Sequence, residues 1–245
     1  MIHIPTEQTL FDLVASTHAA DRIPLTTQEI QETWAKKKVS PYARGHFLAY
    51  MYILHNLSNS IDFPAKDPNM ITDIQKSSMA LSWLRELHTR FVEPLVNSPL
   101  LEGDINGPQR YHLGNYRMFQ TQAITRPAPP SNLLPAIMHN WLKDIAIYHH
   151  SIKDKVLNPF AFSANDAHEL IQRVKDIQLF FSVVQPFAYG NQRLGRIVEL
   201  AFRWKWNVPI VHYWPSSKEY NKLLIDLGEY EKRLPDIIQR AVPVK

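Results

Sequence analysis

The chain has 245 residues, 45% of them hydrophobic, and its 27 basic and 23 acidic side chains give a formal charge of +4. That length and apolar content suffice for a full core and exclude disorder over most of the chain, while the scattered basic residues argue against a nucleic-acid partner. No cysteine is present, so disulfides, thiolate metal sites and thiol nucleophiles are excluded. The opening, Met1 to Val14, shows no basic segment followed by an apolar run and a small-residue cleavage site. No Sec-type signal is expected, and the chain reads as cytoplasmic at synthesis, with a weakly patterned start.

Thr26-Thr27-Gln28-Glu29 is a capping box that predicts a short helix toward Lys38. Ser40 followed by Pro41 is an N-cap with a first-turn proline and opens a second helix toward Asn59. Its most apolar run, Phe47 to Leu57, is broken by His55 and is too short for a bilayer core of ~30 Å, so no membrane association is expected. Ser60 to Pro68 is the candidate linker. It either divides an N-terminal helical extension, 1–68, from a larger domain, 69–245, or is a loop inside one domain.

From 69 to 96, Ile71, Ile74, Met79, Trp83, Leu87 and Phe91 recur at helical spacing, with Pro94 near the expected end. Residues 98 to 130 are rich in Pro, Gly and Asn, and Tyr116 to Thr125 alternates like a short hairpin strand. Helices follow at about 132–149, 165–184, 191–206 and 217–232, with Asp166, Asn191 and Ser217 near their starts, and a final turn spans Asp236 to Ala241. Seven glycines in the whole chain and long apolar-periodic segments between proline clusters make the fold class all-α.

The stretch that carries chemistry is Gln185-Pro186-Phe187-Ala188-Tyr189-Gly190-Asn191-Gln192-Arg193-Leu194-Gly195-Arg196. A helix ends, a Gly-Asn turn follows, and the next helix starts with two arginines three residues apart on one face. Backbone N–H groups of such a turn, the positive end of the helix and two guanidinium forks together attract an anion such as phosphate. On spacing alone, an ordinary helix-turn-helix connection with solvent-facing arginines stays open.

The segment resembles the Fic signature His-Pro-Phe-x-Asp/Glu-Gly-Asn-Gly-Arg-x-x-Arg, with Pro186, Phe187, Gly190, Asn191, Arg193 and Arg196 in register. Trp83 to Arg90 is similar to the family's Leu-His-Arg helix, and Gly114-Asn115-Tyr116-Arg117 to the opening of its flap, a hairpin that clamps a target segment. Arg126 to Pro130 with the helix after it, Ala167 to Val184, and Ser217 to Tyr220 also follow the family order, so the likeness covers about 70–235. The resemblance implies a Fic/Fido-like helical bundle with a short β-hairpin flap and ATP as ligand. Phe187 would anchor the loop, and Gly190, Asn191, Gln192, Arg193 and Arg196 would hold phosphates. Tyr220 would line the base pocket, and Tyr116 and Arg117 would start the flap.

Three departures fall inside the signature. Gln185 stands where the resemblance places the catalytic histidine, and an amide cannot accept the proton of an attacking hydroxyl; loss of such a base costs on the order of 10²- to 10⁴-fold in rate. Tyr189 replaces the acidic magnesium ligand, and a phenol is a poor donor to that cation. Gln192 replaces the second glycine, at a cost of roughly 1–2 kcal/mol if that position is left-handed. His112, near the flap, is the histidine best placed in sequence to substitute for the lost base. Ser98 to Gly103 matches the Ser/Thr-x-x-x-Glu-Gly form of the family's self-inhibitory glutamate. Its place beside the flap and Pro99 favour coincidence over inhibition by Glu102.

The leading expectation is a degenerate Fic-domain protein that binds a nucleotide or phosphate and an unidentified protein segment, with weak or no AMP transfer and Mg2+ binding disfavoured. Regulatory, toxin-like or secreted-effector roles of bacterial relatives enter by analogy alone. The alternatives are an active adenylyltransferase or related transferase acting on Ser, Thr or Tyr hydroxyls, and an interaction module whose turn is an inherited relic. In the last, Trp204, Trp206 and Trp214 form either a partner surface or, more in keeping with tryptophan burial, part of the core.

Overall fold

The computed structural model describes residues 5–21, 23–37, 39–58, 81–96, 98, 107–123, 126–157, 162–209 and 225–241. The described helices are α1 (Glu7–Ala20), α2 (Thr27–Trp34), α3 (Pro41–Ser58), α4 (Ser82–Val96), α5 (Leu134–Leu157), α6 (Ala164–Val184), α7 (Asn191–Lys205), α8 (225–231) and α9 (Leu234–Ala241). The all-α class holds.

The weak opening is a helix. Thr6 caps α1 by accepting from the Thr9 N–H, and Leu10, Phe11, Leu13 and Val14 supply its buried face. The capping box at Thr26 and Glu29 forms as expected, and Pro41 begins α3. Helix α5 runs beyond the expected 149 to Leu157. Ser163 is the N-cap of α6; Asp166, near the start as expected, sits at the third position and bonds back to Ser163, completing a second capping box. The expected final turn is a full helix, α9. The hairpin is reduced, among the described residues, to single antiparallel bridges, Gln122 with Pro127 and Tyr116 with Phe187. The proposed linker, residues 99–106, which include Glu102, and residues 210–224, which include Trp214 and Tyr220, lie outside the described residues.

The tightest helix pairs are α3 with α4 and α6 with α7. Gly45 on α3 lets the backbones meet, since a Cβ there would lie 2.2 Å from the Phe91 carbonyl oxygen of α4. Gly195 does the same for α7 against Phe181 and Gln178 of α6. Helices α1 to α3 contribute Leu13, Val14, Ile30, Phe47 and Ile53 to the core that also holds Phe91, Phe181, Phe187 and Phe202. Phe11, Trp34 and Phe47 meet edge to face at 4.9–6.0 Å and knit α1, α2 and α3 together. Trp204 and Trp206 are buried, and the Trp206 indole donates to His149 Nδ1 at 3.0 Å, so both serve the core.

Candidate functional site: a turn that holds two arginines

The turn between α6 and α7 is built by its own side chains. Helix α6 stops because Gln185 adopts a left-handed conformation, φ 51° and ψ 57°. Its side chain folds back: Nε2 donates to Ser182 O at 2.7 Å and Oε1 accepts from Asn191 Nδ2 at 3.0 Å. Asn191 closes the loop by accepting from the Phe187 N–H at 2.9 Å and donating to Phe187 O at 2.8 Å. Gln185 is thus a structural member of the turn. Phe187 is buried and anchors the loop, as expected.

Gly190 precedes α7 at φ 75°, and a Cβ there would strike the Phe91 ring at 2.7 Å. Only glycine meets both demands without strain. Gln192 carries no such demand: it is an exposed residue inside α7, and among the described non-glycine residues positive φ falls at Lys36, Gln185 and Asn207. The expected strain at Gln192 is therefore absent. The left-handed positions are Gln185 and Gly190.

Arg193 and Arg196 do share a face, but it is an inner one: they are only 7% and 4% exposed. Both reach Asp21, the C-cap of α1. Arg193 Nε lies 3.1 Å from Asp21 Oδ2, and Arg196 Nη2 donates to Asp21 Oδ1 and, at 3.3 Å, to Thr17 O. Solvent-facing arginines are ruled out. Around the Arg193 guanidinium stand the rings of Tyr189, Phe91 and Tyr42 at 5.3, 5.4 and 5.7 Å, close enough for cation–π attraction. One of its nitrogens, Nη1, is buried without a hydrogen-bond partner.

Behind this pair, His18 of α1 and His46 of α3 are fully buried, with Nε2 and Nδ1 3.0 Å apart. Burial, reinforced by Arg193 and Arg196, lowers the His18 pKa to about 3. Burial, His18 and Arg193 also hold His46 well below its ordinary value. Both imidazoles are neutral at pH 7, as two adjacent guanidinium groups require.

On the flap side, Tyr116 bridges to Phe187 and the Arg117 N–H donates to Pro186 O at 3.0 Å. The Arg117 side chain is buried and donates to the carbonyls of Gln185, Phe119, Pro129 and Val184. It clamps the flap to the end of α6 rather than facing a target. His112 accepts from the Gln109 N–H at 3.1 Å and sits between the Tyr111 and Phe119 rings. The histidine that meets the turn is His88 of α4, bonded to Tyr189 O at 3.0 Å.

The donor set bears on the ligands that the resemblance implies. The paired guanidinium groups have the donor chemistry that suits phosphate oxygens, and in this structure they are bonded to the Asp21 carboxylate. Magnesium does not fit: Tyr189 packs on Arg193, and Asp21 is committed to two cations. Among the described residues no group of three or more His, Cys, Asp or Glu is arranged to hold a metal. Nor is any described helix long and apolar enough to cross a membrane.

No protein-family model and no curated protein matches the chain. Among solved structures it is similar to a Fic family protein from Desulfovibrio desulfuricans G20, with a TM-score of 0.52 and 17% identity. The match covers 96% of this chain and 65% of that one, so the chain spans about two thirds of that protein's length. The fold is therefore an all-α, Fic-like fold. At this identity the likeness concerns the fold alone.

Sequence reasoning found the turn and its arginines but missed their partner. Asp21, His18 and His46 come from segments about 150 to 175 positions away, and no local pattern announces them. Locally the sequence shows only an acidic residue, Asp21, just past the end of an apolar segment, which names no partner.

Proposed function

We propose that this protein is a degenerate Fic-fold binding protein whose α6–α7 turn takes the phosphates of a nucleotide or a related anion, with weak or no AMP transfer. The observation that carries this reading is the convergence of Arg193 and Arg196 on one carboxylate. An anion already sits where phosphate oxygens would lie, and it belongs to the chain itself. Ligand entry then requires Asp21 to withdraw. Asp21 stands toward the second arginine as the resemblance would have the self-inhibitory glutamate stand. Gln185, bonded within its own turn, supplies no base, and Tyr189 supplies no metal ligand, so binding should be independent of magnesium. The flap, closed on the turn by Tyr116 and Arg117, would present a protein segment beside it.

The enclosure of Arg193 by three rings favours a second reading, in which the arginines serve only to fasten α1 and the protein acts through its surface. Thermal unfolding with ATP, ADP and pyrophosphate, with and without magnesium, separates the two in the wild type and in Asp21→Asn. A ligand at 100 times its dissociation constant adds about 2.7 kcal/mol. We expect a shift that is larger in Asp21→Asn and unchanged by magnesium. No shift in either protein with any of the three ligands would sink the binding reading and leave the fastening one.

A further inference from the structure

Helix α4 touches both halves of the site, and it does so through one imidazole. The His88 ring is fully buried and lies face to face with Phe187, centroids 4.1 Å apart and planes 11° from parallel. Its Nδ1 accepts from the Gly114 N–H at 3.0 Å, and its Nε2 meets Tyr189 O at 3.0 Å. A backbone N–H can only donate and a carbonyl can only accept, so the ring must be the neutral Nε2–H tautomer. Burial enforces this by lowering the His88 pKa to about 4.

The two segments it joins are otherwise separate in sequence. Gly114 opens the flap at φ 65°, where a Cβ would lie 2.8 Å from Thr89 Oγ1 and 3.0 Å from Arg85 O. The next peptide is held by Arg85, whose Nε donates to Gly114 O at 2.7 Å and whose Nη2 donates to Asn115 Oδ1 at 2.9 Å. Tyr189 lies one residue before Gly190, which rests on Phe91, three positions after His88 on α4. Arg85, His88 and Phe91 thus form one row on the helix, each gripping the flap, the turn or both.

A buried histidine could be mere filler. Filler would need only the flat ring that stacks on Phe187, and phenylalanine would serve. The two nitrogens answer two backbone groups, the buried Gly114 N–H and the partly buried Tyr189 carbonyl, and an unmet buried group is expensive. We infer that His88 is a positioning residue that, beside the Tyr116–Phe187 bridge and the Arg117 clamp, couples the flap to the arginine-bearing turn, so that displacement of one is transmitted to the other through a tautomer-locked ring. It touches no ligand; it sets where Gly114 and Tyr189 stand relative to each other. This coupling is a property of the free protein. Only its effect on ligand affinity rests on the binding reading above.

Two substitutions separate the ring's shape from its hydrogen bonds. His88→Phe keeps the stack on Phe187 and loses both bonds. His88→Gln loses the stack but offers an acceptor and a donor with nearly the spacing of the two ring nitrogens. The measurement is amide hydrogen exchange in the ligand-free full chain, read at Gly114 to Arg117 and at Gln185 to Asn191. In His88→Phe we expect exchange to rise at least tenfold in both segments together, and in His88→Gln to stay within about threefold of wild type in both. Equal disruption by both variants, or a rise in one segment only, would overturn the proposal. Nitrogen shifts of the His88 imidazole in the wild-type protein give a reading that needs no variant to fold. The Nε2–H form is expected at neutral pH, and the Nδ1–H or doubly protonated form would refute the coupling. Because neither experiment uses a ligand, failure of the protein to bind nucleotide leaves this test intact.

Discussion

At the scale of single residues, Asp21 and Gly190 carry the sharpest consequences. Asp21 is the carboxylate partner of two guanidinium groups that are nearly out of solvent. Removing one partner of such a cluster is far worse than removing an exposed pair, because the remaining charges stay buried. Asp21→Ala should destabilise the protein by about 3–5 kcal/mol, read by urea denaturation near neutral pH. A loss below about 1 kcal/mol, the value of an exposed pair, would show that water reaches the arginines freely. Gly190→Ala places a methyl group 2.7 Å from the Phe91 ring in a left-handed conformation. The backbone alone accounts for about 1–2 kcal/mol, and the clash adds to it. Gln192→Gly should bring no gain, because Gln192 is already helical; glycine there costs roughly 1 kcal/mol instead. Thermal unfolding of the two variants side by side checks the pair.

At the scale of elements, α1 is the piece whose docking depends on acidity. His18 lies on α1 and faces Arg193 and Arg196 from α7 and His46 and Tyr42 from α3. His46 faces His18, the same two arginines and the rings of Tyr50 and Phe91. Both histidines have folded pKa values below their unfolded ones, so the unfolded chain binds more protons once the pH drops below about 6.5. Their contribution is full above that value and is lost on acidification, with the loss for His18 ending near pH 3. Each buried histidine should remove up to about 1.4 kcal/mol per pH unit within the window. Denaturation series at pH 7.5, 6 and 5 should show this slope, and His18→Gln should reduce it by one histidine's share, leaving those of His46, His88 and His149. An unchanged slope in that variant would place the acid sensitivity elsewhere.

The elements also show what could be read from the chain and why the rest could not. Capping boxes are local, and the one at Thr26 and Glu29 was legible; so was the proline start of α3. The start of α6 near Asp166 was legible too, but not that Ser163 caps it, because serine and aspartate are both good caps and only the structure decides which one accepts. The signature turn was legible from residues 185–196, since its glycine, asparagine and arginines are consecutive. That Arg193 and Arg196 meet Asp21 was not legible, because burial by α1 is a long-range fact: 175 positions separate Asp21 from Arg196. Helix α1 itself escaped because its apolar residues cluster rather than follow a clean helical period, and packing against α2 and α3 settles it.

At the scale of the whole molecule, one core runs from Leu10 to Ala241 through every described helix, α1 to α3 included. The N-terminal helices should therefore not melt as a separate unit. Tryptophan fluorescence and far-ultraviolet circular dichroism should give coincident transitions in denaturant, whereas an early transition in one probe would reveal an independent part. The same integration bears on activity. Incubation of wild-type protein with labelled ATP and a lysate should give labelling at or near background. Combining Asp21→Asn with Gln185→His and Tyr189→Asp would restore an open arginine pair, a base and a carboxylate together. Labelling by that triple variant would mark a decayed enzyme, and continued silence would favour the surface-acting alternative.

The buried guanidinium of Arg117 has a bearing on how the seam between flap and helix is kept. By gathering carbonyls from Val184, Gln185, Phe119 and Pro129, it ties the flap to the end of α6 through main-chain acceptors alone. A carbonyl is present whatever the side chain. Substitutions at those four positions therefore leave the acceptors in place, and the seam tolerates a drift in sequence that would break a pairing between two side chains.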